Sequence, residues 1–206
     1  MTGSTALTDR NLNQVRLRFL DLIKSFFQDE PDAEKISRWR GFFAAISTEQ
    51  INPALDAAVN QLTHCLRKKE LQDIKDEYYS LFIDPYSEHP LHLHATWYID
   101  GRSFGPTLVN FRALLKKAGL IKQTHFADSE DSLPVLLDTL ICLIEEQKSG
   151  EDTRPLQDQL VNNFLYPVAN ALTTAAQLNE QADFYEHCIV FLREYTVLEN
   201  ELIENS

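Results

Sequence analysis

The chain has 206 residues, of which 44% are apolar, with only 6 glycines and 8 prolines. It can therefore fill a hydrophobic core, and it is neither disordered nor fibrous. The net charge of -12 disfavours binding to nucleic acid or to an anionic membrane, whose phosphates require clustered lysine and arginine. Because the chain also shows neither a signal-peptide pattern nor a long apolar run, we expect a soluble, cytoplasmic protein without stable membrane insertion.

The first 83 residues are dominated by helical periodicity. Apolar residues recur every three or four positions and predict helices at about 11–27, 32–46, 47–66 and 71–83. The third of these helices is expected to begin at a capping box, "STEQ", with Ser47 as the N-cap and Gln50 three residues later.

The helical pattern stops at "DPYSEHP", because each residue that precedes a proline is biased away from the helical region. The break lasts about twenty residues, a length that usually has a functional reason. It ends at Pro106, where a helix begins that Gly119 is expected to cap. A second polar connector precedes helices predicted near 131–147, 155–163, 167–179 and 181–202. The fold class is therefore all-α and bundle-like, a single domain over residues 1–206 with a hinge at 119–130.

Signatures of catalysis are missing from the sequence. It contains no nucleotide-binding glycine motif, no G-x-S-x-G and no H-E-x-x-H. The cysteines Cys65, Cys142 and Cys188 are far apart and lie in apolar helical patterns, which predicts reduced, mostly buried thiols. We therefore expect neither catalytic residues nor a resident cofactor.

Three histidines in the long loop, His89, His92 and His94, form the one candidate metal centre that the sequence offers. In an extended segment His92 and His94 point to the same side, whereas His89 points to the other. Only Glu88 lies near enough in sequence to complete such a site. A metal-binding enzyme built on this loop is therefore kept as an alternative, and no metal is the favoured interpretation.

Three motifs follow one another at a distinctive spacing. They are "EYYSLF" at 77–82, "TWYID" at 96–100 and "EDSL" at 130–133. Their order resembles the TorD/DmsD/NarJ family of chaperones for molybdenum redox enzymes, whose pattern contains E-x-x-x-L-F, S-x-Y-x-D and a late P-E-D-H-L-like segment. Ser132 stands where that late segment has a histidine, so the resemblance implies no role for a histidine there.

The resemblance implies the TorD/DmsD-type helical fold and a non-catalytic function. Such a chaperone binds the twin-arginine leader, the body, or both, of an apo-molybdoenzyme catalytic subunit in the cytoplasm. It supports cofactor insertion and prevents premature export. The family includes monomers and domain-swapped dimers, so both states stay open. A generic helical adaptor with an unrelated partner is a second alternative.

A basic, apolar leader requires an aromatic groove beside acidic groups. The motifs supply a predicted peptide-binding set of nine residues: Tyr78, Leu81, Phe82, Thr96, Trp97, Tyr98, Asp100, Glu130 and Asp131.

Several members of this set have a structural alternative. Leu81 and Phe82 favour the core, and one of Trp97 and Tyr98 is expected to be buried, since they point to opposite sides if extended. Asp100 is suited to a turn before Gly101, and Glu130 or Asp131 to the N-cap of the next helix.

Overall fold

The structure is a computed structural model that describes residues 2–121 and 129–204. The helices in this part of the chain are α1 (Thr2–Phe27), α2 (Ala33–Ile46), α3 (Pro53–Lys68), α4 (Leu71–Tyr78), α5 (Ala95–Asp100), α6 (Pro106–Lys117), α7 (Leu133–Lys148), α8 (Arg154–Leu160), α9 (Tyr166–Gln177) and α10 (Phe184–Glu204). These residues form no strand, and an isolated antiparallel bridge joins His94 to Ser132. The all-α prediction is confirmed. None of the described helices is both long enough and apolar enough to cross a membrane.

Short polar side chains determine where α2 and α3 begin. Asp32 and Asn52 each accept the backbone N–H three residues later, at 2.7 and 2.8 Å. The capping box predicted at Ser47 is wrong, because Ser47 is the C-terminal cap of α2. Asn52 followed by Pro53 is the stronger start signal, since proline suits the first helical position and asparagine caps it.

Two wider, π-helical turns continue helices beyond their regular ends. Tyr79–Ile83 extends α4, and Val161–Leu165 joins α8 to α9. The sequence predicted separate helices at 155–163 and 167–179, and this interruption is wrong. Pro167 cannot donate a backbone hydrogen bond, and the π turn before it accommodates that loss without ending the helix.

Helix α10 lies at the centre of the packing, against α3, α4, α8, α9 and α1, while α1 also packs along α7. Large aromatic side chains fill this core. Trp39 is fully buried, its ring centroid 4.9 Å from that of Phe26 and 5.7 Å from that of Phe184. Its indole N–H donates to Ser25 Oγ at 2.8 Å, so the buried polar group is satisfied. Helices from both sides of the 122–128 connector thus share one core.

A buried ion pair connects α1 to α10. Arg16 Nη2 lies 2.7 Å from Glu199 Oε2, and both side chains are almost fully buried. The guanidinium also donates to Asn13 and Gln157, at 3.0 and 2.8 Å, and Tyr195 donates to Glu199. Because nearly every donor of Arg16 has an acceptor, this charge is tolerated in the core.

The connector that follows α6 contains the predicted hinge. Gly119 adopts a left-handed φ of 67°, and Leu120 N–H donates to Leu115 O at 2.9 Å, so Gly119 ends α6 as expected. Residues 122–128, which make up most of the predicted hinge at 119–130, lie outside the described residues. The hinge and the single-domain assignment therefore stay predictions.

Candidate functional site

The long break between helices is tied to the body of the protein. Leu91 N–H donates to Leu81 O at 2.8 Å, and Asn179 Nδ2 donates to His89 O at 2.7 Å. Further along, Leu133 N–H donates to Leu93 O at 2.6 Å. These bonds hold the loop against the π turn after α4, the connection between α9 and α10, and the start of α7, and they fix the position of α5.

Helix α5 contains the "TWYID" motif, whose β-branched and aromatic residues favour a strand by local propensity. A helix forms because remote groups satisfy its first N–H groups, which local propensity does not show. Trp97 is 42% exposed, whereas Tyr98 is half-buried and packs on the core. Burial raises the pKa of Tyr98, although a hydrogen bond with the His92 backbone opposes this shift. Trp97 is therefore the member of the pair available to a partner.

The N-terminal cap of α5 comes from Asp131, far along the sequence. Its Oδ2 accepts Thr96 N–H at 3.0 Å and Thr96 Oγ1–H at 2.7 Å, and its backbone O accepts Ala95 N–H at 2.9 Å. Burial alone would raise the pKa of Asp131, but hydrogen bonds from Ser129 and Thr96 outweigh it, so the pKa is lowered. The predicted cap on the next helix is wrong: Ser132 is the N-cap of α7, and Asp131 instead caps α5.

Asp100 caps the N-terminus of α6 with its side chain, as Asp131 caps that of α5. Its Oδ2 accepts Thr107 N–H at 2.9 Å and its Oδ1 accepts Thr107 Oγ1–H at 2.8 Å. The N-cap residue itself is Gly105, which has no side chain to offer. A Cβ at Gly105 would lie 2.1 Å from Asp100 Oδ2, so only glycine lets the carboxylate approach.

Glu77, the first residue of the "EYYSLF" motif, caps α10. Its carboxylate accepts the backbone N–H of Asp183, Phe184 and Tyr185 at 2.8, 3.1 and 2.8 Å. Lys69 Nζ lies 3.0 Å from Glu77 Oε2 and 2.9 Å from Asp183 Oδ2. Burial alone would lower the pKa of Lys69, but these hydrogen bonds raise it. One carboxylate from each of the three motifs thus holds the start of another helix.

The nine predicted site residues differ in their accessibility. Trp97 is exposed; Phe82, Tyr98, Asp100 and Glu130 are half-buried; Tyr78, Leu81, Thr96 and Asp131 are buried. Thr96 and Asp131 contact each other, and Tyr78 and Phe82 pack together with ring centroids 5.3 Å apart. Glu130 Oε2 accepts Arg112 Nη2 at 2.8 Å near the surface. The buried members therefore support the structure of the site and are not available for direct contact with a partner.

One strongly exposed aromatic residue of the region was not predicted from the motifs. Phe104, in the turn between α5 and α6, is 80% exposed and has a φ of 57°. A left-handed backbone is unusual for a bulky residue and is disfavoured by roughly 1–2 kcal/mol. The available signal was an aromatic residue set directly before Gly105-Pro106 in a turn-rich segment.

Exposed apolar side chains concentrate in this part of the molecule. Among the described residues, those between 79 and 109 include seven large apolar side chains that face solvent: Tyr79, Ile83, Tyr86, Trp97, Ile99, Phe104 and Val109. We call this segment, 79–109, the display segment. Because contiguous exposed apolar patches mark protein-binding surfaces, the display segment is the candidate for such a surface.

The three loop histidines do not come together as a ligand set in the part of the chain that the structure describes. In residues 2–121 and 129–204, the side chains that could hold an ion together lie elsewhere, and His89, His92 and His94 are not among them. His92 instead lies against Trp97, with ring centroids 3.9 Å apart. Burial and the charge of His94 lower the pKa of His92.

The cysteines lack the signature of nucleophiles. Burial raises the pKa of Cys65 to about 11, with Asp183 adding to the effect, and burial also raises the pKa of Cys142 and of Cys188. A nucleophilic thiol needs a lowered pKa, so these three thiols stay protonated at neutral pH.

Comparison with known proteins places these features in a family. The sequence model of the family described as "Nitrate reductase delta subunit" matches residues 48–189, a span that includes all three motifs. A comparison with curated protein sequences finds no match. Among solved structures, the chain is similar to a crystal structure from Archaeoglobus fulgidus described as a candidate redox enzyme maturation protein. The identity is 17%, the TM-score is 0.47, and the alignment covers 92% of this chain and 93% of that chain. The family match extends over well more than half of the chain and confirms the resemblance carried by the motifs, so the chain belongs to the nitrate reductase delta subunit family, the NarJ/TorD-type chaperones of redox enzyme maturation.

Proposed function

We propose that this protein is a cytoplasmic, non-catalytic chaperone that binds the twin-arginine leader, the body, or both, of an apo-molybdoenzyme catalytic subunit. Binding supports insertion of the molybdenum cofactor and prevents premature export. The display segment is the proposed contact surface. Trp97 and Phe104 supply apolar contacts, while Thr96 and Asp131 fix the orientation of α5 beneath them.

The observation that carries this proposal is the backbone of Phe104. A large apolar side chain is held in solvent by a disfavoured φ of 57°, between two helices whose starts are capped by Asp131 and Asp100. Strain of this kind persists only where the surrounding structure imposes it, and it concentrates at functional sites. Exposed aromatic groups on a rigid support are also the residues that dominate binding energy at protein interfaces.

The charge of the chain suits the proposed ligand. A leader with two arginines is basic, and the net charge of -12 attracts it over distances of about 10 Å at moderate salt. Glu130 and Asp100 are the predicted acidic residues that retain some exposure, whereas Asp131 is 1% exposed and occupied by α5. Both carboxylate oxygens of Asp100 are likewise occupied, by Thr107, so direct contact with arginine is assigned to Glu130.

The test is isothermal titration calorimetry with the leader peptide of the client, identified by pull-down from the native organism. Truncation of a hot-spot aromatic costs about 2 kcal/mol, so Trp97→Ala and Phe104→Ala should each weaken binding about thirtyfold. Leu178→Ala is the matched control, because Leu178 is 81% exposed but lies outside the display segment. It should bind like the wild type.

Two further binding measurements separate the contribution of charge from that of apolar contact. A peptide with two lysines should bind less tightly than the twin-arginine peptide if Glu130 makes a two-pronged contact. Glu130→Gln should weaken binding more at low salt than at high salt. If every variant binds the client's leader like Leu178→Ala does, recognition lies elsewhere. If the pull-down returns only partners unrelated to redox enzymes, the generic adaptor is correct.

A further inference from the structure

Three side chains with metal-ligating chemistry meet where the end of α3 packs against the start of α10. Cys65 Sγ, a carboxylate oxygen of Asp183 and a ring nitrogen of His187 all lie within 4.8 Å of one another. Cys65 is 7% exposed, His187 is half-buried and Asp183 is exposed, so the group is closed on one side and open to solvent on the other. We propose that Cys65, Asp183 and His187 form a site for a divalent transition-metal ion of the zinc type.

The fold holds these residues on rigid elements. Asp183 directly precedes α10 and His187 lies one turn later, so both side chains project from the same face of that helix. Cys65 lies in the last turn of α3, which packs along α10. The Asp183 backbone is itself fixed, because its N–H donates to Glu77. Ligands on packed helices are better positioned than ligands on loops.

The donor set selects the class of ion. A thiolate with an imidazole and a carboxylate suits zinc and its neighbours, whereas magnesium and calcium prefer oxygen ligands alone. Zinc bonds measure about 2.0–2.3 Å, which places tetrahedral ligand atoms nearer together than 4.8 Å. The three ligand atoms, all within 4.8 Å of one another, are therefore at or close to the spacing that one ion requires. As the sulfur–metal bond forms, the Cys65 thiol releases its proton to solvent.

The local charges balance once an ion is present. Glu77 and Asp183 carry two negative charges, and Lys69, which contacts both, carries one positive charge. The addition of a divalent ion and the loss of the thiol proton bring the total to zero. Lys69 contacts Asp183 Oδ2, which leaves Oδ1 for the metal. Partners of this kind orient a ligand and tune its affinity.

A groove borders one ligand of the proposed site, His187. It has a volume of about 290 Å³ and is lined by side chains from α3 and α10, including Ala57, Gln61, His187 and Val190. Three protein ligands leave a fourth tetrahedral position, and an open position of this kind holds water or an exchangeable ligand. His187 lines the groove and Asp183 is exposed, so an ion can reach these two ligands from solvent.

The experiment uses tag-free, full-length protein and Co²⁺ as a spectroscopic probe, followed by Zn²⁺ competition and calorimetry. We expect one ion per chain, with the sulfur-to-cobalt charge-transfer band and the intense visible bands of tetrahedral cobalt. Cys65→Ser should abolish the charge-transfer band. Cys65→Ser and His187→Ala should each weaken Zn²⁺ binding by at least about tenfold, the minimum seen when even an outer partner is lost.

Matched controls separate this site from other thiols and imidazoles. Cys142→Ser alters a half-buried cysteine of α7, and His92→Ala alters the loop, so both should bind as the wild type does. Circular dichroism verifies folding of every variant. Zn²⁺ binding of wild-type affinity in Cys65→Ser, or binding that is lost in His92→Ala, overturns the proposal, as does a wild-type protein without the charge-transfer band. The result is independent of leader binding, which is measured in metal-free buffer.

Discussion

Glu77 offers the sharpest test of how the motifs act. Its side chain is almost fully buried and accepts three backbone N–H groups from the start of α10, together with Lys69 Nζ. Glu77→Ala leaves all of these donors without their acceptor. Hydrogen bonds to a charged group each contribute about 1.5–3 kcal/mol, but losses at one site are not additive. Removal of one partner of a buried ion pair costs about 3–5 kcal/mol, so we expect a loss of about 4 kcal/mol.

Glu77→Gln removes the negative charge of the side chain but keeps its shape. An amide oxygen in place of Oε1 can still accept from Asp183 and Tyr185, whereas an NH₂ group in place of Oε2 faces the Phe184 N–H and the Lys69 ammonium. Two acceptor contacts and the charge are lost, so we expect a destabilisation of about 2 kcal/mol, between the wild type and Glu77→Ala.

The measurement is urea unfolding followed by far-ultraviolet circular dichroism, with thermal unfolding as a second readout. For a chain of this size, about 4 kcal/mol corresponds to a decrease in Tm of about 8–16 °C. Glu49→Ala is the control, because Glu49 is exposed in the α2–α3 connection. If Glu77→Ala unfolds at the same urea concentration as Glu49→Ala, then Glu77 does not stabilise α10, and the capping interpretation of the motifs is wrong.

Three other predictions concern the buried carboxylates Asp131 and Glu199 and the contact between His92 and Trp97. Because the pKa of Asp131 is lowered in the folded protein, its carboxylate stabilises the fold at pH values above 3.8, the ordinary pKa of aspartate. This stabilisation is lost as the pH falls through the pKa of the folded protein. The difference in urea stability between the wild type and Asp131→Asn should therefore narrow as the pH is lowered below about 4. Glu199→Leu alone should cost about 3–5 kcal/mol, because it leaves Arg16 buried and unpaired, whereas the double change with Arg16→Met should cost less; equal costs would contradict this. Protonation of His92, which lies against Trp97, should change the Trp97 fluorescence with a midpoint below 6.5, because the pKa of His92 is lowered. This titration, measured after replacement of the other tryptophan, should disappear in His92→Gln.

Local patterns were sufficient to predict the fold class and most helices. The periodicity of apolar residues located the helices, and the glycine at 119 located an end, because both signals act within a few residues. The start of α3 was misplaced because two capping signals compete there, and Asn52 with Pro53 prevails over Ser47. Helical continuity across Pro167 depends on a π turn for which the sequence has no distinct signal.

The structural roles of the motif carboxylates could not be predicted from the sequence. Asp131 caps a helix 35 residues before it, and Glu77 caps one more than 100 residues after it. Such pairings depend on tertiary structure and leave no local pattern. For the same reason Trp97 and Tyr98 were treated as part of an extended segment. Phe104 was missed, although it is more exposed than Trp97.

The most direct test of the chaperone function is the molybdenum content of the client enzyme. The client is purified from cells that lack this chain and that express the wild type, the double variant Trp97→Ala with Phe104→Gly, or Leu178→Ala. Phe104→Gly is chosen because glycine tolerates the left-handed backbone, so folding should be unharmed. We predict that the wild type and Leu178→Ala restore one molybdenum cofactor per client, whereas the double variant, folded and equally abundant, leaves most of the client without it. A client that carries its full molybdenum content in cells with the double variant would contradict the assignment of the display segment, and full content in cells without the chain would contradict the chaperone function itself.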